Sequence, residues 1–122
     1  MAILADDLIW ATRLADLVRG AGGVPVPVRS LAALEVALPD VDRVIVDLTA
    51  RAYDGVAAVA LATGAARRVL AVGQHDDVDL RRRAIAAGAE RVHPYRRLFE
   101  DGPRQVAAWL AATPTPALES TR

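Results

Sequence analysis

Ile3 to Ala5, Val44 to Val46 and Val69 to Val72 are short apolar runs with no polar alternation. They are too short for helices, and their continuity is the pattern of parallel strands buried on both faces. These are expected to be central strands. Val24-Pro25-Val26-Pro27-Val28 is extended as well, but proline cannot donate to a ladder, so this strand is confined to a sheet edge. A last short strand spans about Glu90 to His93 and ends at Pro94.

Helical stripes lie between the runs: Trp10, Leu14, Leu17 and Ala21; Leu31, Leu34 and Leu38; Val56, Val59, Ala60 and Thr63. Leu80, Ala84 and Ala87 give a fourth helix ending at Gly88. Val106, Ala107 and Leu110 give a fifth that is expected to start near Gly102-Pro103. Ser30 suits the N-cap of the second helix. The order is (βα)5, and right-handed crossovers with an edge second strand predict a flavodoxin-like, doubly wound three-layer sandwich, parallel sheet order 2-1-3-4-5. Residues 1–112 form the expected domain, and 113–122, without periodicity, are expected to be a disordered tail.

The chain has no cysteine, which excludes thiolate catalysis and cysteine-ligated zinc. All its cations are arginine, so no lysine is available as a Schiff base or a phosphoryl-holding ammonium. Fifteen cationic and fifteen acidic residues cancel, which argues against the basic footprint of nucleic-acid binding. No apolar run approaches the ~20 residues that span a bilayer, and the acidic pair near the N-terminus is unlike a signal peptide. A cytoplasmic protein without nucleic-acid or membrane partners is expected.

The first strand runs into Asp6-Asp7 and the third ends at Asp47, so the expected topology brings three carboxylates to one rim of the sheet. Clustered acids repel and raise one another's pKa unless a cation sits among them, and hard oxygen ligands suit Mg²⁺. A carboxylate at the third strand's end could then carry a phosphoryl group.

The Asp6-Asp7 pair, the run Val44-Ile45-Val46-Asp47-Leu48, Asp54-Gly55 beyond it, and Ala86-Ala87-Gly88-Ala89 before the last strand make the chain resemble response-regulator receiver (CheY-like) domains. The likeness extends from Ile3 to about Leu110. It implies Asp47 as phosphoacceptor, Asp6 and Asp7 as the acidic metal pair, and Thr49 as a backbone-carbonyl ligand. Asp7-Leu8-Ile9-Trp10 and Val92-His93-Pro94-Tyr95-Arg96 also resemble a stand-alone pseudo-receiver type.

The departures bear on chemistry. Gly73 stands where active receivers carry a Ser or Thr, and the family's lysine is missing; the candidates near its place are His93, Tyr95 and Arg96. Arginine's planar fork is a poor stand-in for a point charge.

Simpler readings exist for several residues. Asp7 alone suits a helix cap. His75 and His93 read as partly exposed loop histidines, Arg81-Arg82-Arg83 as a solvated face or a patch for an acidic partner, and Trp10 as core filling. Trp109 is open between core and interface. No phosphate loop, nucleophile elbow or dinucleotide motif occurs.

The expectation is a non-enzymatic signalling module that binds a histidine kinase, a phosphotransfer protein or a downstream effector. Phosphorylation is weak or lost, Mg²⁺ binding weak, and a homodimer compatible with the sequence. One alternative is a Mg²⁺-dependent phosphoacceptor working at Asp47 in a phosphorelay. Another is a small-molecule-binding domain of the same fold.

Overall fold

The computed structural model describes residues 1–74 and 76–111. The expected tail and His75 lie outside the described residues. Five parallel strands, β1 (Ala2–Leu4), β2 (Val26–Val28), β3 (Arg43–Asp47), β4 (Arg68–Gly73) and β5 (Arg91–Pro94), form one sheet in the order β2-β1-β3-β4-β5. The two prolines explain the outer place of β2. Val26 N–H donates to the Met1 carbonyl and the Val28 carbonyl accepts from Ala5. Pro27, between them, turns its missing donor to the open edge.

The helices are α1 (Leu8–Gly20), α2 (Leu31–Ala37), which runs on into a 3₁₀ turn at Leu38–Asp40, α3 (Gly55–Gly64), α4 (Val78–Ala87) and α5 (Tyr95–Ala111). Strand alternation divides the core into two. Leu4, Val44, Val46, Val69 and Ala71 pack under α2, α3 and α4, whereas Ile3, Ile45, Leu70 and Val72 pack under α1 and α5. Each fully buried Ile, Leu or Val contributes about 1.5–3 kcal/mol, so two such layers hold the sheet on both faces. Among the described residues no helix is long and apolar enough to cross a membrane.

Caps follow the sequence closely. Ser30 Oγ accepts from Ala33 N–H at 3.1 Å, and Asp54 Oδ1 accepts from Val56 and Ala57 at 3.0 and 3.1 Å. Gly88 ends α4 at φ +122°, and a Cβ there would lie 2.3 Å from Thr63 Oγ1. Both the conformation and the space demand glycine.

Three expectations shift. β1 begins and ends one residue earlier than Ile3–Ala5, at Ala2–Leu4. In α3 the buried stripe is Gly55, Ala58, Val59 and Ala62, while Ala60 and Thr63 face outward. The helix is apolar on all sides, so hydropathy could not orient it. The fifth helix starts at Tyr95 directly after Pro94, and Gly102-Pro103 marks a kink instead, with Asp101 at φ −137° and ψ 24°. Proline is tolerated there because it opens the second half of the helix, where its missing donor has no partner to lose.

Candidate functional site

Alternation along β3 decides where Asp47 points. It continues the face of Ile45, toward the α1 and α5 layer, and it is 1% exposed. The first residue of α5 meets it there. Tyr95 O–H donates to Asp47 Oδ1 in a short hydrogen bond, and the same oxygen accepts from the backbone N–H and the hydroxyl of Thr49, at 2.9 and 2.8 Å. The two hydroxyls are 3.0 Å apart. Burial, and then the hydrogen bond to Asp47, push the Tyr95 phenol well above its ordinary pKa, so it stays protonated and remains a donor.

Asp6, Asp7 and Asp47 line one cleft of about 330 Å³ together with Trp10, Thr49 and Arg51. Each acid has one oxygen in use. Asp6 Oδ2 accepts from the N–H groups of Arg51 and Ala52 at 3.2 and 3.1 Å, which ties β1 to the β3–α3 loop. Asp7 Oδ1 caps α1, accepting from Ile9 and Trp10 at 2.8 and 3.1 Å. Among the described residues no three Asp, Glu, His or Cys side chains are grouped to hold a metal ion. In this arrangement the acids do not form a ready-made octahedral oxygen set for Mg²⁺, because Asp7 is turned to its helix and Asp47 to Tyr95 and Thr49.

Aromatic rings close the cleft's side. Trp10 lies 4.3 Å from the Tyr95 ring and 5.1 Å from Phe99, centroid to centroid, with the Arg13 guanidinium 5.5 Å from both Trp10 and Phe99. Trp10 is thus half-buried against α5, as its packing reading expected. The chain has five aromatic residues, and Trp10, Tyr53, Tyr95 and Phe99 all gather around the Asp47 end of the sheet. The fifth, Trp109, is buried at the opposite end, between the guanidinium groups of Arg43 and Arg68 at 5.7 and 5.8 Å.

Other candidates are placed differently. Arg96 is turned away and pairs with Glu100 at 3.0 Å, its side chain 88% exposed. His93 is buried on β5 opposite Val72 and lines another pocket, with Arg81, Arg91 and Arg97; it is not a partly exposed loop residue. Gly73 pairs with Pro94, and a Cβ there would make ordinary contact with Leu48, at 3.5 and 3.6 Å. Asp54-Gly55 has a local explanation: Asp54 caps α3, and a Cβ on Gly55 would stand 2.9 Å from Leu48 Cα.

Two participants escaped the sequence reading. Tyr53 O–H lies within hydrogen-bond distance of the carbonyls of Leu4 and Asp47, at 2.9 and 2.8 Å, and so clamps the ends of β1 and β3. An aromatic with a polar tip just before the Asp54 cap was the only sign of it. Arg51 is the one cation lining the cleft among the described residues, and nothing in its exposed loop position announces that.

The chain matches no protein-family model and no curated protein sequence. Its likeness is to solved structures. The receiver domain of NtrX from Brucella abortus superposes with a TM-score of 0.72 at 17% identity, covering 84% of this chain and 94% of that domain. The chain has the receiver fold. It spans about a quarter, 26%, of the longer NtrX chain seen in another structure of that protein. A two-component response regulator from Clostridium difficile gives a TM-score of 0.77 at 12% identity, over 89% of this chain and 93% of the other. A response regulator from Burkholderia pseudomallei, solved with a phosphorylated aspartic acid, a calcium ion and citrate, gives 0.72 at 18% identity, over 98% of this chain and 69% of the other. The flavodoxin-like, CheY-like architecture expected from the sequence is the one observed.

Proposed function

We propose that this chain is a receiver-like signalling module of a two-component system, not an enzyme, and that it works by binding another protein: a histidine kinase, a phosphotransfer protein or a downstream effector. Phosphorylation at Asp47 is weak or lost. The observation that carries this reading is the occupation of Asp47 Oδ1 by the Tyr95 phenol and both donors of Thr49. A carboxylate that accepts three hydrogen bonds on one oxygen is a poorer nucleophile, and a phosphoryl group arriving at that oxygen must first displace the phenol. No lysine exists to hold the phosphoryl oxygens, and Gly73 carries no hydroxyl to follow them.

Weak Mg²⁺ binding by Asp6, Asp7, Asp47 and the Thr49 carbonyl belongs to the same reading. The acids line one cleft but are engaged by the protein's own donors, so a metal would have to re-aim them. The zero net charge and the absence of a membrane-spanning helix among the described residues are consistent with a protein partner.

The test is incubation with Mg²⁺ and acetyl phosphate, followed by intact-mass measurement beside Asp47→Asn. The expected result is little or no phosphoryl adduct on either protein. A stable, stoichiometric adduct confined to the wild type would favour the working phosphoacceptor instead.

A further inference from the structure

The open edge of the sheet at β5 carries a concentration of positive charge that the Asp47 cleft does not use. Arg81 of α4, Arg91 and His93 of β5, and Arg97 and Gln105 of α5 line a pocket of about 300 Å³ together with Glu90. Its charges are unbalanced. Glu90, the single acid lining it among the described residues, is held bidentately by Arg68, at 2.6 and 2.9 Å. The guanidinium groups of Arg81, Arg91 and Arg97 have no ion pair or hydrogen bond among the described residues. Arg19, Arg43, Arg68, Arg83 and Arg96 each have a carboxylate.

Arginine at a sheet edge is commonly a guard against strand pairing, and one or two charges on β5 would suffice for that. Edge protection does not require guanidinium groups from three successive elements around one concavity. Nor does it require an imidazole at its floor, where His93 is 6% exposed. Three exposed planar forks with free donors, beside a buried imidazole and with the lining carboxylate already engaged by Arg68, match the oxygens of a compact tetrahedral anion.

The geometry points to this pocket as a binding site for a phosphate dianion, free or carried as a monoester on a small molecule. Its volume is at the low end of ligand pockets, which suits such a group better than a large organic body. The site is independent of Asp47, which faces a different cleft.

His93 supplies a readout. Burial, and then Arg97, Arg91 and Arg81, hold its pKa below the ordinary imidazole value. The groups around it are Arg81 from α4, Arg91 on its own strand, Glu90 with its Arg68 partner before it, and Arg97 and Gln105 from α5; the Gln105 amide in turn donates to Asp101. An anion among them favours the imidazolium, so the His93 titration moves to higher pH when the pocket fills.

The experiment is an NMR titration of the intact chain with inorganic phosphate, AMP and adenosine at constant ionic strength, following the His93 imidazole. Phosphate and AMP are expected to raise its titration midpoint, and Arg81→Gln or Arg97→Gln to weaken binding on the order of tenfold each. Arg82→Gln, on the same helix but outside the pocket, should leave affinity unchanged. Tighter binding of AMP than of phosphate identifies a monoester ligand, and equal binding identifies free phosphate. An unmoved His93 midpoint with both anions, binding of adenosine as tight as AMP, or an Arg82→Gln loss equal to that of Arg81→Gln would overturn the site.

Discussion

The Asp47 cleft and the β5 pocket are opposite in charge and opposite in how far that charge is answered. In the first, each of three acids already accepts from N–H or O–H groups of the protein itself. In the second, three guanidinium groups line a pocket with a buried imidazole, and among the described residues no acid is free to meet them. A net charge of zero hides both, since it sums two fields at different edges of one sheet. Saturation, rather than the kind of charge, separates a region that holds the fold together from one left open to a ligand.

Substitutions should therefore have unequal consequences. Tyr95→Phe removes a donor from a buried carboxylate and is expected to cost about 2 kcal/mol of stability in urea unfolding. An unchanged midpoint would mean that the phenol does not hold Asp47. Tyr53→Phe, which takes the shared hydroxyl from the carbonyls of Leu4 and Asp47, should cost about 1 kcal/mol by the same measurement.

The basic pocket should answer to pH and hardly to truncation. Because burial lowers the His93 pKa in the folded chain, the unfolded chain takes up that proton first as pH falls. The His93 contribution is then complete above about pH 6.5 and declines as pH drops toward the folded value. His93→Gln should flatten that part of the stability profile, and an identical slope in both proteins would contradict the assignment. The smallest effect belongs to Arg97→Gln, within about 0.5 kcal/mol and toward greater stability, because it relieves repulsion without removing a partner. A clear loss of stability would show that Arg97 is already paired.

The sheet order was readable because it depends on features that sequence states openly. Two prolines put β2 at an edge, apolar runs mark the central strands, and topology then carries Asp6, Asp7 and Asp47 to one cleft. What fills that cleft was less readable. Counting along the chain named Tyr95, His93 and Arg96 together, but strand alternation and the immediate start of α5 after Pro94 send them to three different places. The Arg96–Glu100 spacing of i and i+4 was a visible clue that Arg96 belongs to the helix surface. The start of α5 was misplaced because Gly102-Pro103 imitates a helix start, whereas the first turns are fixed by Trp10 and Phe99, whose contact is tertiary. Tyr53 gave no local signal of the two carbonyls it would meet beyond being a polar-tipped aromatic just before the Asp54 cap.

Beryllofluoride in the presence of Mg²⁺ reports whether the Tyr95 phenol obstructs Asp47, because it takes the place of a phosphoryl group on an accessible aspartate. Fluorine NMR of the wild type and Tyr95→Phe, each beside its Asp47→Asn version, compares an occupied carboxylate with one released from the phenol. The expected bound signal is weak or absent in the wild type, stronger in Tyr95→Phe, and abolished by Asp47→Asn. Equal, tight binding by the wild type and Tyr95→Phe would show that the phenol does not obstruct Asp47.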